Sequence, residues 1–135
     1  MRVVLLGDGI QQDLANSPID IFLQREFPGS VIEVVSSTED EAGVHMFRER
    51  AGEFVLRFRP DLLIIGGVSN RDEMGDFQAL VDQIRANDVL TGWRTEILLL
   101  TNGWSSNAVG QNAFRFSSDM RELDQIGRAS CRERV

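Results

Sequence analysis

The sequence predicts an α/β fold in which helices cover both faces of a doubly wound parallel sheet, giving a three-layer α/β/α arrangement. Two observations support this prediction. Four short and nearly unbroken apolar runs are typical of strands that are buried on both faces; they are RVVLLG (2–7), VIEVVS (31–36), DLLIIGG (61–67) and TEILLLT (95–101). Amphipathic segments separate these runs, and strands that alternate with helices pair in parallel through right-handed crossovers.

The first predicted helix begins in the segment NSPID. Ser17 is suited to the N-cap, Pro18 to the first helical position and Asp20 to the first turn, so three start signals agree. Apolar residues then follow at helical spacing, and the Pro-Gly pair at 28–29 ends the helix. The predicted buried residues are Ile19, Phe22, Leu23 and Phe27.

A second helix is predicted between the second and third strands. Thr38 and Glu41 fit a capping box, and the acidic cluster at 39–41 suits a helix N-terminus. We expect this helix to run to Phe58 and to end before Pro60. Its predicted buried side consists of Val44, Phe47, Ala51, Phe54, Val55 and Phe58.

A third helix is predicted over 76–86, between the last two strands. The stretch 102–119 is long, polar and rich in small residues, which favours a functional loop. We expect Trp93 and Trp104 to pack against the domain, with Trp104 also able to line the mouth of a pocket.

The composition excludes several classes of function. The 135 residues carry a formal charge of −7, whereas binding to nucleic acid or to an anionic membrane depends on clustered Lys and Arg, so we expect neither partner. The N-terminus lacks signal-peptide features and the chain lacks a long apolar run, which favours a cytoplasmic location. One Cys and one His cannot form a zinc cluster, and we expect no metal and no cofactor.

The last ten residues, IGRASCRERV (126–135), differ in character from the rest of the chain. They contain three arginines against one glutamate, together with the only cysteine. One reading frame of a common short-read sequencing adapter translates to this segment residue for residue. We therefore interpret 126–135 as a non-native tail, and 1–125 as a domain that is truncated at its C-terminus.

The residues that follow the strands carry the candidate site, because ligands of open α/β sheets bind beyond the carboxyl ends of the strands. Gly7-Asp8-Gly9 ends the first strand, and RPDLLIIGGVSNRDE (59–73) contains the third. Over residues 2–101 the chain resembles the SGNH hydrolases, also called GDSL esterases and lipases. That family has Gly-Asp-Ser after the first strand, and Gly-x-Asn-Asp after a Pro-Asp-led apolar strand.

This resemblance implies hydrolysis of carboxylic esters, with a small-molecule or carbohydrate ester carrying an acyl or acetyl group as substrate. The family's Ser is the nucleophile, and Gly9 stands at its position. Asp8 would brace the first loop, and the amide of Gly9 would remain as an oxyanion contact. The oxyanion and binding positions on the other strand ends would be occupied by Gly67, Ser69, Asn70 and Asn102. Two alignments stay open: Asn70 is the oxyanion Asn displaced by one residue, or Ser69 and Asn70 replace the family's Asn-Asp pair.

Three departures from the family pattern indicate that this chain is inactive as it stands. Gly9 has no side chain with which to attack an ester. The family's glycine after the second strand is missing unless Gly43 serves, and the sequence places Gly43 inside a helix. The Asp-x-x-His block is also missing, since the only histidine is His45, which we expect on a helix surface.

Each site residue also has a structural interpretation. Gly9 is explained by a tight turn, Asp8 by a helix cap or turn, Gly67 by a turn and Asn70 by a helix cap.

Three functions other than ester hydrolysis match parts of this pattern. The first is a catalytically silent binding domain on the same fold. The second is a flavodoxin-like or receiver-like regulatory domain, although a receiver needs an Asp after the third strand, where the chain has none. The third is a dinucleotide site at Gly7-x-Gly9, which needs a glycine where Gln12 stands and a helix that opens at the glycines. The sequence places that helix start at Ser17 instead.

Overall fold

The computed structural model describes residues 1–39, 42–66 and 74–100, without the side chains of Ile10 and Met74. Within these ranges four strands form one parallel sheet in the order β2-β1-β3-β4. They are β1 Arg2–Gly7, β2 Glu33–Thr38, β3 Leu62–Gly66 and β4 Glu96–Leu99. The predicted parallel sheet is confirmed. The second strand begins two residues later than predicted, since Val31 is 86% exposed and precedes the pairing of Arg2 with Glu33.

The helices are α1 Gly9–Asn16, α2 Ile19–Glu26, α3 Val44–Glu49, α4 Ala51–Phe54 and α5 Met74–Thr91, with a 3₁₀ turn at Leu56–Phe58. Helices α3, α4 and α5 pack on one face of the sheet, and α1 and α2 pack on the other. This confirms the three-layer α/β/α fold. Among the residues that the structure describes, no helix is both long and apolar enough to cross a bilayer.

The two faces of the sheet carry apolar cores of unequal size. The core under α3, α4 and α5 contains twelve buried side chains: Val4, Leu6, Val44, Phe47, Ala51, Val55, Leu63, Ile65, Phe77, Leu80, Val81 and Ile84. The core under α1 and α2 contains three, which are Val3, Leu5 and Ile64. On the smaller side, Leu98, the register partner of Ile64, is 47% exposed. The large core therefore contains most of the apolar burial that stabilises the described part of the fold.

Helix α1 was not predicted, because its eight-residue segment GIQQDLAN begins within Gly7-Asp8-Gly9, which indicates a turn, and the start signals at 17–20 place the helix later. The helix start predicted at Ser17 is correct to within two residues, but Ser17 does not cap α2. Its hydroxyl donates to the Leu14 carbonyl at 2.6 Å, at the end of α1. No residue of α2 is fully buried. Phe22 and Phe27 are exposed, contrary to prediction. Ile19 and Leu23 are partly buried and pack against the small core.

The predicted helix from Thr38 to Phe58 is broken into two short helices and a 3₁₀ turn. Thr38 is the last residue of β2 rather than a helix cap. Gly43 is the residue before α3, with an extended backbone (φ −82°, ψ 165°), so its placement inside a helix was wrong. The predicted buried side is largely correct, since Val44, Phe47, Ala51 and Val55 are buried. The third predicted helix is longer than expected and runs through Thr91.

A polar junction at the amino end of β4 stabilises its connection to α5. The buried Asp88 carboxylate accepts hydrogen bonds from the Thr95 amide and the Thr95 hydroxyl, both at 2.9 Å. Arg85 donates to the Thr95 carbonyl at 2.5 Å and lies 3.3 Å from the same carboxylate. The junction therefore satisfies three polar groups of Thr95 in a buried position.

We expect Asp88→Ala to lower the free energy of unfolding by about 3 kcal/mol, because the Thr95 amide and the charge of Arg85 lose a buried partner. Urea denaturation measures this change. Asp82→Ala is the matched control on the same helix: Asp82 has an exposed hydrogen bond to Gln78, so we expect a change within about 0.5 kcal/mol. Equal effects of the two variants would contradict the role of the junction.

Candidate functional site

The carboxyl ends of three neighbouring strands meet at one edge of the sheet. Gly7 at the end of β1 is the register partner of Thr38 on β2 and of Gly66 on β3. Helix α1 begins two residues after Gly7. Asp8 and Gly9 therefore lie at the centre of this edge, where ligands of open α/β sheets bind.

Gly9 is exposed and is the first residue of α1. Its backbone is helical, a conformation that any L-residue adopts. The unusual backbone belongs to Gly7, whose φ of 153° side chains rarely adopt. Backbone conformation therefore accounts for the glycine at position 7 and leaves the glycine at position 9 unexplained.

Asp8 is half-buried and occupies the position before α1. Its carbonyl oxygen accepts the Gln12 amide at 3.0 Å, which is the first backbone hydrogen bond of the helix. A carboxylate at this position interacts favourably with the helix dipole. Asp8 therefore fits a capping role, and its place beside Gly9 also suits the predicted bracing of the first loop.

Gln11 is fully buried between the ends of β1 and β3. A Cβ atom placed on Gly7 would lie 2.6 Å from Gln11 Cγ, and one placed on Gly66 would lie 3.3 Å from Gln11 Cδ. The two glycines thus leave a notch that the Gln11 side chain fills. Among the described residues, neither Oε1 nor Nε2 of Gln11 has a hydrogen-bond partner. Gln11 could not be recognised from the sequence, because its burial depends on helix α1, which was not predicted.

Gln12, the next residue of α1, is by contrast hydrogen-bonded at its side chain. Thr38 Oγ1 donates to Gln12 Oε1, and Gln12 Nε2 donates to Asn16 Oδ1 at 3.3 Å. The hydroxyls of Ser36 and Thr38 lie 3.2 Å apart on β2. These contacts tie the start of α1 to the end of the edge strand β2.

His45 lies on α3, where its Nε2 atom is 3.3 Å from Glu49 and its side chain is exposed. This confirms the predicted helix-surface position. In the described ranges no three His, Cys, Asp or Glu residues converge on a point where a metal ion could bind. Trp93 donates from its indole nitrogen to the Pro60 carbonyl at 2.9 Å, which agrees with a packing role.

Several predicted site residues lie outside the described residues, as do the predicted functional loop at 102–119 and the tail at 126–135. They are Gly67, Ser69, Asn70, Asn102 and Trp104. The described part of the site therefore consists of the end of β1, the first turn of α1, and the ends of β2 and β3.

Comparison with solved structures shows that the chain has the fold of the SGNH hydrolases. An acetyl xylan esterase, AlAXEase, matches with a TM-score of 0.71 at 13% identity, over 96% of this chain and 74% of the other. An acetyl-xylooligosaccharide esterase from Geobacillus stearothermophilus matches with a TM-score of 0.71 at 15% identity, over 96% and 72%. TesA matches with a TM-score of 0.68 at 15% identity, over 96% and 74%. Neither protein-family models nor curated proteins match the sequence.

Proposed function

We propose that this chain is part of an SGNH-type ester hydrolase domain that keeps the ester-binding crevice and lacks serine-dependent hydrolysis. The observation that carries this proposal is the position of Gly9. It is the exposed first residue of α1, directly beyond the central strand, in a backbone that would accept a serine. A site built for nucleophilic attack needs a side chain there, and glycine provides none.

The remaining described groups suit the binding of an acyl carbonyl oxygen. The first-turn amides of a helix have no partner within the helix, and α1 begins at Gly9, directly beyond the carboxyl end of β1. Gly43 also precedes a helix, at the end of the segment that follows β2, and is a candidate for the family's second oxyanion glycine. Ser69 or Asn70 would supply the third donor, in accord with the sequence motif.

The proposed ligand is a carbohydrate that carries acetyl esters. Two of the structural neighbours act, by their names, on acetylated xylan or xylo-oligosaccharides. A neutral ligand also suits a chain with a formal charge of −7 and with Asp8 beside the crevice, since an anionic ligand would be repelled.

Calorimetric titration of the 135-residue chain with acetylated and deacetylated xylo-oligosaccharides tests the proposal. We expect the acetylated ligand to bind at least about tenfold more tightly, which is a modest difference of about 1.4 kcal/mol. We also expect release of acetate no faster than in buffer, because the nucleophile is absent. Equal affinity for the two ligands would contradict the ester-binding crevice, and turnover would contradict the loss of hydrolysis.

A dinucleotide site is the second candidate, because the placement of the first helix start at Ser17, which counted against it, is wrong. Helix α1 opens directly at Gly9, as the dinucleotide fingerprint requires, and not at Ser17. The other argument stands, since the fingerprint needs a third glycine where Gln12 contacts Thr38 and Asn16. Visible absorbance of the purified protein near 450 nm, about where flavins absorb, would favour this candidate over ester binding.

A further inference from the structure

The buried carboxamide of Gln11 is costly for the fold. Its Oε1 and Nε2 atoms have no hydrogen-bond partner among the described residues, and burial of an unpaired amide is unfavourable. A methionine would fill the notch between Gly7 and Gly66 with a similar volume and without that cost. The carboxamide therefore needs an explanation beyond packing.

The position of Gln11 connects it to the candidate site. It belongs to the first turn of the eight-residue helix α1, two residues after Gly9. Its side chain extends back along the helix toward Gly7, at the strand ends that precede the start of α1. A buried carboxamide without a hydrogen-bond partner among the described residues thus lies next to the start of a helix, where the dipole favours a hydrogen-bond acceptor.

We propose that Gln11 is a ligand-binding residue, and that its carboxamide pairs with a partly acetylated sugar. This inference rests on the proposed function and names the ligand more narrowly. A carboxamide offers a hydrogen-bond donor and an acceptor, so a ligand that satisfies both must itself present an acceptor and a donor. In a partly acetylated sugar, the acyl carbonyl oxygen accepts from Nε2 and a neighbouring free hydroxyl donates to Oε1. The carboxamide is fully buried between Gly7 and Gly66, so this pairing requires the unbranched side chain to turn out of the notch when the sugar binds.

The test compares Gln11→Met with the unaltered chain in two measurements. In a thermal melt without ligand, we expect Gln11→Met to raise the Tm by a few degrees, because the variant removes an unpaired polar group. In titrations with mono-O-acetylated xylobiose and with xylobiose, we expect the unaltered chain to prefer the acetylated sugar by at least about tenfold, and Gln11→Met to lose most of that preference.

Gln12→Met is the matched control on the same helix. Its carboxamide contacts Thr38 and Asn16, so we expect this variant to lower the Tm. A lower Tm for Gln11→Met would show that its amide is already paired within the protein, and would overturn the inference.

The sugar titrations separate the two proposals. If the unaltered chain prefers the acetylated sugar and Gln11→Met keeps that preference, the role of Gln11 fails and the proposed function stands. If the unaltered chain binds neither sugar, the proposed function fails, and with it the ligand assigned to Gln11.

Discussion

A thiol introduced at position 9 is expected to become acylated by 4-nitrophenyl acetate. In Gly9→Cys the thiolate attacks the acetyl carbonyl, 4-nitrophenolate leaves, and a thioester remains on the protein. Helix N-termini lower the pKa of cysteine thiols, and we expect this effect together with the proposed acyl-binding site to outweigh repulsion of the thiolate by Asp8. We expect a burst of one 4-nitrophenolate per chain, at least about tenfold faster at pH 7 than for an ordinary exposed cysteine.

The experiment needs a background without the thiol that the chain already carries, so both variants carry Cys131→Ser. Gly29→Cys is the control, because a Cβ at Gly29 meets no atom within 4 Å and the residue lies in a turn. Absorbance at 400 nm measures the burst, and mass spectrometry locates the added acetyl group. Equal rates at the two positions would show that residue 9 does not lie in an activating, acyl-binding environment.

Gly9→Ser in the same chain is expected to stay at the rate of the buffer blank. A serine hydroxyl needs a general base, and the only histidine of the sequence is paired with Glu49 on the surface of α3. Acylation of the cysteine variant together with no reaction of the serine variant would therefore show that the ester binds and that only the general base is missing.

Gly7→Ala is expected to destabilise the fold by about 3 kcal/mol or more, which is enough to unfold a marginal domain. The added Cβ would collide with the carbonyl oxygen of Gly66, a backbone atom that cannot move aside without disturbing the sheet. The φ angle of 153° adds strain for any side chain. Chemical denaturation measures the loss.

Gly52→Ala is the matched control, since Gly52 lies in α4 and a Cβ there meets no atom within 4 Å. Alanine is favoured over glycine in a helix, so we expect this variant to be neutral or more stable by up to about 1 kcal/mol. Stability of Gly7→Ala similar to that of Gly52→Ala would contradict the close approach of β1 and β3.

The sequence was sufficient to predict the sheet, because each strand is an apolar run bounded by polar or small residues. The sequence was insufficient for α1, because the side chain that fills the notch is a buried glutamine, and a polar residue is ordinarily expected on the surface. Capping signals were also misleading. Thr38 extends β2 and its hydroxyl donates to Gln12, and the Ser17 hydroxyl donates to the Leu14 carbonyl. Both hydroxyls therefore bond elsewhere in the fold, although the local sequence pattern assigns them to helix starts.

The sequence allows some residues of the candidate site to be placed in the fold, but not others. The rule that ligands bind beyond parallel strands places Asp8 and Gly9 correctly at the sheet edge. The rule does not say which glycine the backbone requires, because the φ angle of Gly7 depends on how closely the chain passes Gly66. The rule also does not predict Gln11, because its burial depends on Gly7 and Gly66, which are 59 positions apart in the sequence.

The unequal cores of the two faces imply unequal resistance to local opening. Amide protons of β1, which lies between two strands and contains five buried residues, should exchange with deuterium only when the whole domain unfolds. Helix α2 has no buried residue, so its protons should exchange through small openings of much lower free energy. Helix α1 contacts both regions, and residue 9 therefore lies on the boundary between a slowly opening unit and a rapidly opening one.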